Sequence, residues 1–533
     1  MFFTRTMKGP PVISKRRALV ACAAAAMLML SACSSGSSAD SASTSGPSGD
    51  VVSGGTGRII EQAEPRSLDP ALISNSWANS PVLGNALYGT LMIDNPETGG
   101  IDFKLAEDFS SADAGKTFTL TLRDGVQFSD GSPFDAEAVK FGWDHIKNPA
   151  TASPDIPQAS LIDSSRVLDD RTLEVALVEP VPNFANAILQ TSMNWIASPA
   201  SLQAGQQAID TNPIGAGPFT LEQWSRQDVI KLTRNDNYYD APRPYLDKLE
   251  IRAIGDADQR YNTLVSGGAD LTLEGNWSNI DKAKNAGLQN AVVPTGGGTT
   301  LVLNSTKAPF DDPRARKAFA IALDLDGINN AVYDGTAKLP HTLFDESSPF
   351  YKNIPLADED RAEAQRLLDE LAAEGKPLEF TMSLYPSGKA LGEAIQTQLS
   401  TLNNIKVNMR TIDFAQVGQI LGQMDYDVIT NAVVFGDPEP RLWFGLHGAS
   451  AGNYSGVKDA QMDAALDDAR VSQDDSERAA AYEVVQQRLV ELNPVIFYVR
   501  SAPGVVANGN VGGIQQYGMG SVLPEVLWIH THD

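Results

Sequence analysis

The sequence predicts an α/β protein, on three observations. Between residues 311 and 435, helical periodicity and strand alternation take turns along the chain, the pattern of a sheet covered by helices. The body that follows a short leader and tether has about 480 residues, enough to bury a large core in two or three domains. It also has no cysteine after Cys33, so packing must supply the stability that disulfides give smaller exported domains.

The elements follow in chain order. Residues 1–17 carry Arg5, Lys8, Lys15, Arg16 and Arg17 and no acid, and Ala18 to Leu30 is a run of 13 uncharged residues. A basic stretch before a short apolar one predicts a secretory signal peptide, because a membrane-spanning helix needs roughly 20 residues. Arg16-Arg17 suits twin-arginine export, but the rest of that motif is poor and ordinary secretion is preferred. Leu30-Ser31-Ala32-Cys33 resembles the bacterial lipobox, which implies cleavage after residue 32 and a lipid on Cys33. Residues 33–56 are rich in Ser, Gly and Ala, too poor in apolar groups to order themselves, and form a tether. Loss of the leader takes the formal charge from −25 to about −30. So acidic a body, with no basic stripe, excludes nucleic acid as a partner.

In the body, Phe118, Leu120 and Leu122 alternate as in a strand, and Pro133 and Asp135 open a helix carrying Val139, Phe141 and Trp143. Asp312-Pro313 opens another, with Ala315, Ala318, Phe319 and Ala322 on one face. Asp358 is the expected cap of a helix bearing Ala364, Leu367, Leu368 and Leu371, which Gly375 stops. Leu378–Leu384 reads as a strand, Lys389–Leu402 as a helix, and Ile405, Val407 and Met409 as a strand. The apolar run Tyr426–Phe435 comes next, then a long helix from Asp474 to Leu492 and the strand Val495–Val499. The sheet over 311–435 is expected to be largely parallel.

Several stretches resemble one family in that family's order: "EPRSLDPA" (64–71), "LYGTLM" (87–92), "LAEDFSSADAGKTFTLTLRDGVQFSDGSPFDAEAV" (105–139), "NPIGAGPF" (212–219), "RNDNYYDAPRPYLDKLEI" (234–251), "LNSTKAPFDDPRARKAFAIALD" (303–324) and "VELNPVIFYV" (490–499). These are similar to the family 5 extracellular solute-binding proteins of ABC importers, which include oligopeptide- and dipeptide-binding proteins. The resemblance implies a two-lobed periplasmic-binding-protein-like fold with an extra inserted subdomain, the cluster C type. Lobe 1 would join 57–95, 213–295 and 500–533, with 96–212 inserted, and 296–499 would form lobe 2. The crossings near 290–300 and 500 would be hinges, and Gly296-Gly297-Gly298 suits one of them.

It also implies a function: capture of a small peptide and delivery to an ABC permease by a monomer on the outer face of the cell membrane, with no cofactor. Asp437 is the residue favoured to pair with a ligand ammonium, although the stretch Phe435–Pro440 is one residue short of the family's pattern; a turn role before Pro438 is the alternative. Arg441 would meet a ligand carboxylate or lie on the surface. Ser76 and Trp77 fall in the segment that runs beside the peptide, where residues 75–78 would offer main-chain bonds. Trp277, Thr299, Phe435 and Trp443 would line the pocket or pack in the core.

Two other readings are open. A non-peptide ligand (a nickel chelate, an opine or a sugar), or a role presenting ligand to a sensor, would use the same fold. Gly448-Ala449-Ser450-Ala451-Gly452 also matches an esterase elbow, with Leu442–Leu446 as its strand and His530 as base, against a plain loop. Gly215-Ala216-Gly217 and Gly296–Gly298 lack what a phosphate loop needs and are expected to be turns or hinges. His530 and His532 are expected in a frayed tail, not at a metal.

Overall fold

The described chain threads three main sheets, beside three two-stranded ones, in an order that brings its first and last strands into one lobe. The computed structural model describes residues 50–95, 100–385, 388–412 and 416–530. The leader, Cys33 and residues 33–49 of the tether, like His532, lie outside the described residues.

The first lobe holds a seven-stranded sheet in the order Gln289–Val292, Gly504–Ala507, Leu271–Glu274, Thr56–Glu61, Lys248–Ala253, Val229–Arg234 and Phe219–Ser225. Thr56–Glu61 runs parallel to both neighbours, with Ile59 opposite Ile251 on one side and Leu271 on the other. The two strands that follow one another in sequence thus lie on opposite sides of Thr56–Glu61, and the carboxyl ends of all three open at one edge. In an α/β sheet such a switch of direction leaves a crevice beyond the strand ends, where ligands bind.

The inserted subdomain is an antiparallel four-stranded sheet, Ala106–Ser110, Thr117–Leu122, Thr172–Leu177 and Ile162–Asp169. Phe118, Leu120 and Leu122 face its core, as their alternation predicts, and the helix Ala136–Lys147 covers them, capped by Asp135 on the N–H of Ala138 at 2.9 Å.

The second lobe has a five-stranded sheet in the order Ile405–Thr411, Leu378–Leu384, Val428–Phe435, Gly296–Leu303 and Val495–Val499. The three strands within 311–435 pair in parallel, as expected, but the whole sheet is mixed. Leu378–Leu384 is parallel to both neighbours, but Gly296–Leu303 is antiparallel to both of its own. The reason is connectivity: Gly296–Leu303 carries the chain into this lobe and Val495–Val499 carries it out, so they point opposite ways. The helix over Ala364, Leu367, Leu368 and Leu371 spans Arg361–Ala373, and its cap is Asp360, not Asp358. The N–H of Asp360 is held by Ile321 O at 2.8 Å, which sets where the first turn begins. The next helix, Lys389–Leu399, stops three residues before Leu402. Leu442–Leu446, offered as the elbow strand, lies in a helix, Arg441–Leu446.

The chain passes between lobes twice, from Val292 to Gly296 and from Val499 to Gly504. Gly297 has φ +66° there, and a Cβ would fall 1.9 Å from Val433 O, so only glycine fits. His530 is not frayed: its N–H donates to Asn510 O at 3.0 Å, and its ring meets Trp528 edge-on. Among the described residues, no helix is long and apolar enough to cross a membrane, and no cluster suits a metal.

Candidate functional site

The site is built from the edge where the parallel strands end and the chain crosses. Glu61 closes the first strand, and its buried carboxyl accepts from the N–H groups of Val82 and Leu83, 2.8 and 3.3 Å away, at the start of the helix Pro81–Tyr88. Burial pushes its pKa up to about 8, against which those two bonds work. Gln62 follows, and its Nε2 is buried with no partner beside Gly275. Gly275 sits just past the neighbouring strand, and a Cβ there would come 2.9 Å from Trp77 Nε1 and 3.1 Å from Gln62 Nε2. The half-buried Trp77, Gln62 and Gly275 therefore meet at the carboxyl ends. A cavity of about 300 Å³ opens at the same edge, between residues 61–65 and the hairpin of Trp224 and Gln227.

Trp277, two residues after Gly275, joins this edge to the crossing: it packs against the cores of both lobes and donates from Nε1 to Arg500 O at 2.7 Å. Arg500 was not anticipated. Its buried guanidinium donates to the carbonyls of Gly297, Leu343, Thr342 and Phe344 at 2.6–3.0 Å. With no carboxylate bonded to it, burial lowers its pKa to about 10, still charged at neutral pH.

The other side of the junction comes from the second lobe. Asp437 is not free for a ligand ammonium: Arg478 Nη2 donates to both its oxygens at 2.8 and 2.9 Å, and Glu439 N–H to Oδ1 at 2.9 Å. With its amide oxygen turned toward that guanidinium, Asn183 of the inserted subdomain accepts from it at 3.2 Å. Glu439 is 1 % exposed and accepts from Arg470 Nε at 2.8 Å; burial raises its pKa to about 7, with Arg470 opposing. Arg470 also donates to Glu179 of the inserted subdomain and lies 3.9 Å over the ring of Trp443.

The remaining expected residues divide. Phe435 takes the core alternative: it is wholly buried, edge-on to Phe344, in the space a Cβ on Gly296 would take. Thr299 is half-buried at the bulge where its strand meets Val499. Trp443 is half-buried, donates to Asp467 at 2.8 Å and stacks on His447. Arg441 is half-buried and makes no ion pair among the described residues; burial lowers its pKa, and the charge of Asp155, in the inserted subdomain, opposes that. Main-chain pairing along 75–78 is corrected. That segment is a turn, in which Ser76 N–H donates to Ser74 O and Trp77 N–H to Met519 O. Ser450 Oγ donates to Phe444 O at 2.6 Å and accepts from Gly452 N–H, after a helix instead of a strand, so the elbow's strand–turn–helix frame is missing.

Glu179, Glu439, Arg470, Arg478 and Arg500 escaped the sequence reading, since each is a lone charge in an ordinary helix or loop. The nearest signal was Arg478, four residues before Tyr482 on the buried face of a helix.

Residues 101–455 match the model described as bacterial extracellular solute-binding proteins, family 5 middle. The chain belongs to this family. Among curated relatives, the glutathione-binding protein GsiB of Salmonella paratyphi A is 29% identical over 318 residues, 58% of this chain and 61% of GsiB. The chain thus matches about three-fifths of the length of such relatives. The fold is also that of AgaA from A. tumefaciens R10, solved with agropinic acid (TM-score 0.78, 23% identity, 90% of this chain and 99% of that one). DppA from Helicobacter pylori, solved with the peptide STSA, superposes with a TM-score of 0.77 at 23% identity over 90% and 99%. These family 5 proteins are two-lobed binding proteins, not enzymes, and the family is extracytoplasmic by its description.

Proposed function

We propose that this protein is a lipid-anchored solute-binding protein that captures small peptides outside the cell membrane and delivers them to an ABC permease. The observation that carries the reading is the meeting of Trp77 and Gln62 at Gly275, at the carboxyl ends of the parallel strands, with Trp277 two residues on bonded to the crossing between lobes. The unpartnered amide of Gln62 suits a ligand carbonyl or carboxylate, and the two indoles give apolar walls. Arg441, which makes no ion pair among the described residues, is the residue we assign to a ligand carboxylate. Ligand that touches both lobes favours the closed form, and the permease reads that form. The lipid on Cys33 and the tether hold the captor near the permease.

One observation favours a second reading, a non-peptide acid. Arg478 occupies Asp437, so that residue reserves nothing for an α-ammonium. AgaA shows that this fold accepts agropinic acid.

The test is native mass spectrometry of the gently purified 34–533 form, followed by a thermal-shift panel of free-acid, amidated and N-acetylated peptides. A ladder of co-purified peptide masses supports peptide capture. A protein that ignores the whole panel refutes it and leaves the acid reading, for which acidic non-peptides are then screened.

A further inference from the structure

Among the described residues, one salt bridge joins the inserted subdomain to the second lobe: Arg470 to Glu179. We propose that this pair is a closure latch that holds the lobes together independently of the ligand. Its two halves are prepared differently. Arg470 keeps 4 % of its side-chain surface, and Glu439, at 2 %, already neutralises it within its own lobe. The guanidinium carbon also lies over the Trp443 ring, 3.9 Å from its centroid. Opening the lobes therefore leaves Arg470 paired and in place.

Glu179 stands on a rigid support. Two residues on, Val181 is wholly buried and its N–H donates to Gly115 O at 3.0 Å, and Pro182 packs so closely on Gly115 that a Cβ there would fall 2.4 Å from its nitrogen. The Glu179 side chain keeps 47 % of its surface with the pair formed, so it stays partly hydrated while bonded. Closing gains a charge-assisted bond at small desolvation cost, the condition under which an ion pair is net favourable. Partial exposure limits the gain to about two- to fivefold in the closed-to-open ratio. A latch of this kind multiplies the affinity for every ligand by one factor, because it changes the fraction of competent protein and touches no ligand.

The test uses the 34–533 protein, which contains no cysteine, with dyes on cysteines placed at Leu168 of the inserted subdomain and Met409 of the second lobe, both exposed. Glu179→Gln is a surface change that leaves the Arg470–Glu439 pair intact. The expected result is a fall of about two- to fivefold in the closed-to-open ratio without ligand, reproduced in wild type by 1 M salt (screening over about 3 Å), and the same factor lost in affinity for each ligand that binds. Unchanged dye distances and affinities in Glu179→Gln overturn the latch, as does an affinity loss confined to one ligand. The dye measurement needs no ligand, so failure of the peptide reading leaves it intact.

Discussion

Arg500 Nη1 donates to Gly297 O at 2.8 Å, tying together the two segments by which the chain passes between lobes. The same guanidinium holds residues 342–344, and Trp277 donates to the Arg500 carbonyl from the ligand edge. Crossing and site are one hydrogen-bonded unit.

Replacing Arg500 with Met should therefore strip four carbonyls of a buried donor at once. We expect a loss of about 3–5 kcal/mol in chemical denaturation. Arg500→Lys should restore only part of it, since one ammonium cannot span the fork's four acceptors. Equal stability of the Met variant and wild type would show that the clamp contributes nothing.

Asp437→Asn separates a structural carboxylate from a ligand contact. The substitution leaves Arg478, 5 % exposed, without its main counter-charge. The expected outcome is a stability loss of about 2–4 kcal/mol in ligand-free protein. Much of it should return when Arg478→Met is added, because the orphaned charge is then gone. Full stability with loss of peptide binding would instead make Asp437 a ligand residue.

The pH dependence should follow Glu61. Its folded pKa, about 8, lies above the ordinary 4.5, so the folded state keeps a proton that the unfolded chain releases. The stabilisation is full below pH 4.5, declines as pH rises, and is lost above pH 8. Glu61→Gln keeps an acceptor for Val82 and Leu83 and removes the titration. It should match wild type near pH 5 and exceed it near pH 8.5 by up to about 4 kcal/mol in denaturant melts. Parallel pH profiles for the two proteins would refute the assignment; Glu439, raised in the same direction, is common to both and cancels.

Ser450 is expected to behave as a loop residue. Its hydroxyl bridges Phe444 O and Gly452 N–H, so Ser450→Ala should cost about 1 kcal/mol. A fluorophosphonate probe should not label the wild-type protein, and labelling that disappears in Ser450→Ala would revive the hydrolase reading.

The sequence by itself determined what local physics and pattern control. The alternation at Phe118, Leu120 and Leu122, the caps Asp135 and Asp312, and the helix ending at Asn493 all depend on neighbours a few residues away, and all stand in the fold. Chain order carried the family resemblance and with it the two lobes. The tertiary structure decided what each charge and ring is for. Asp437 read as a ligand carboxylate or a turn residue, and only the fold shows Arg478, 41 positions on, holding it. Phe435 read as a pocket wall or a core ring, and Gly296 leaves it a place in the core. Glu179 and Arg470 are 291 positions apart, and nothing near either one names the other. The reason is physical: a backbone element is chosen by short-range torsions and periodicity, whereas a buried charge is chosen by whichever partner packing brings within hydrogen-bond reach.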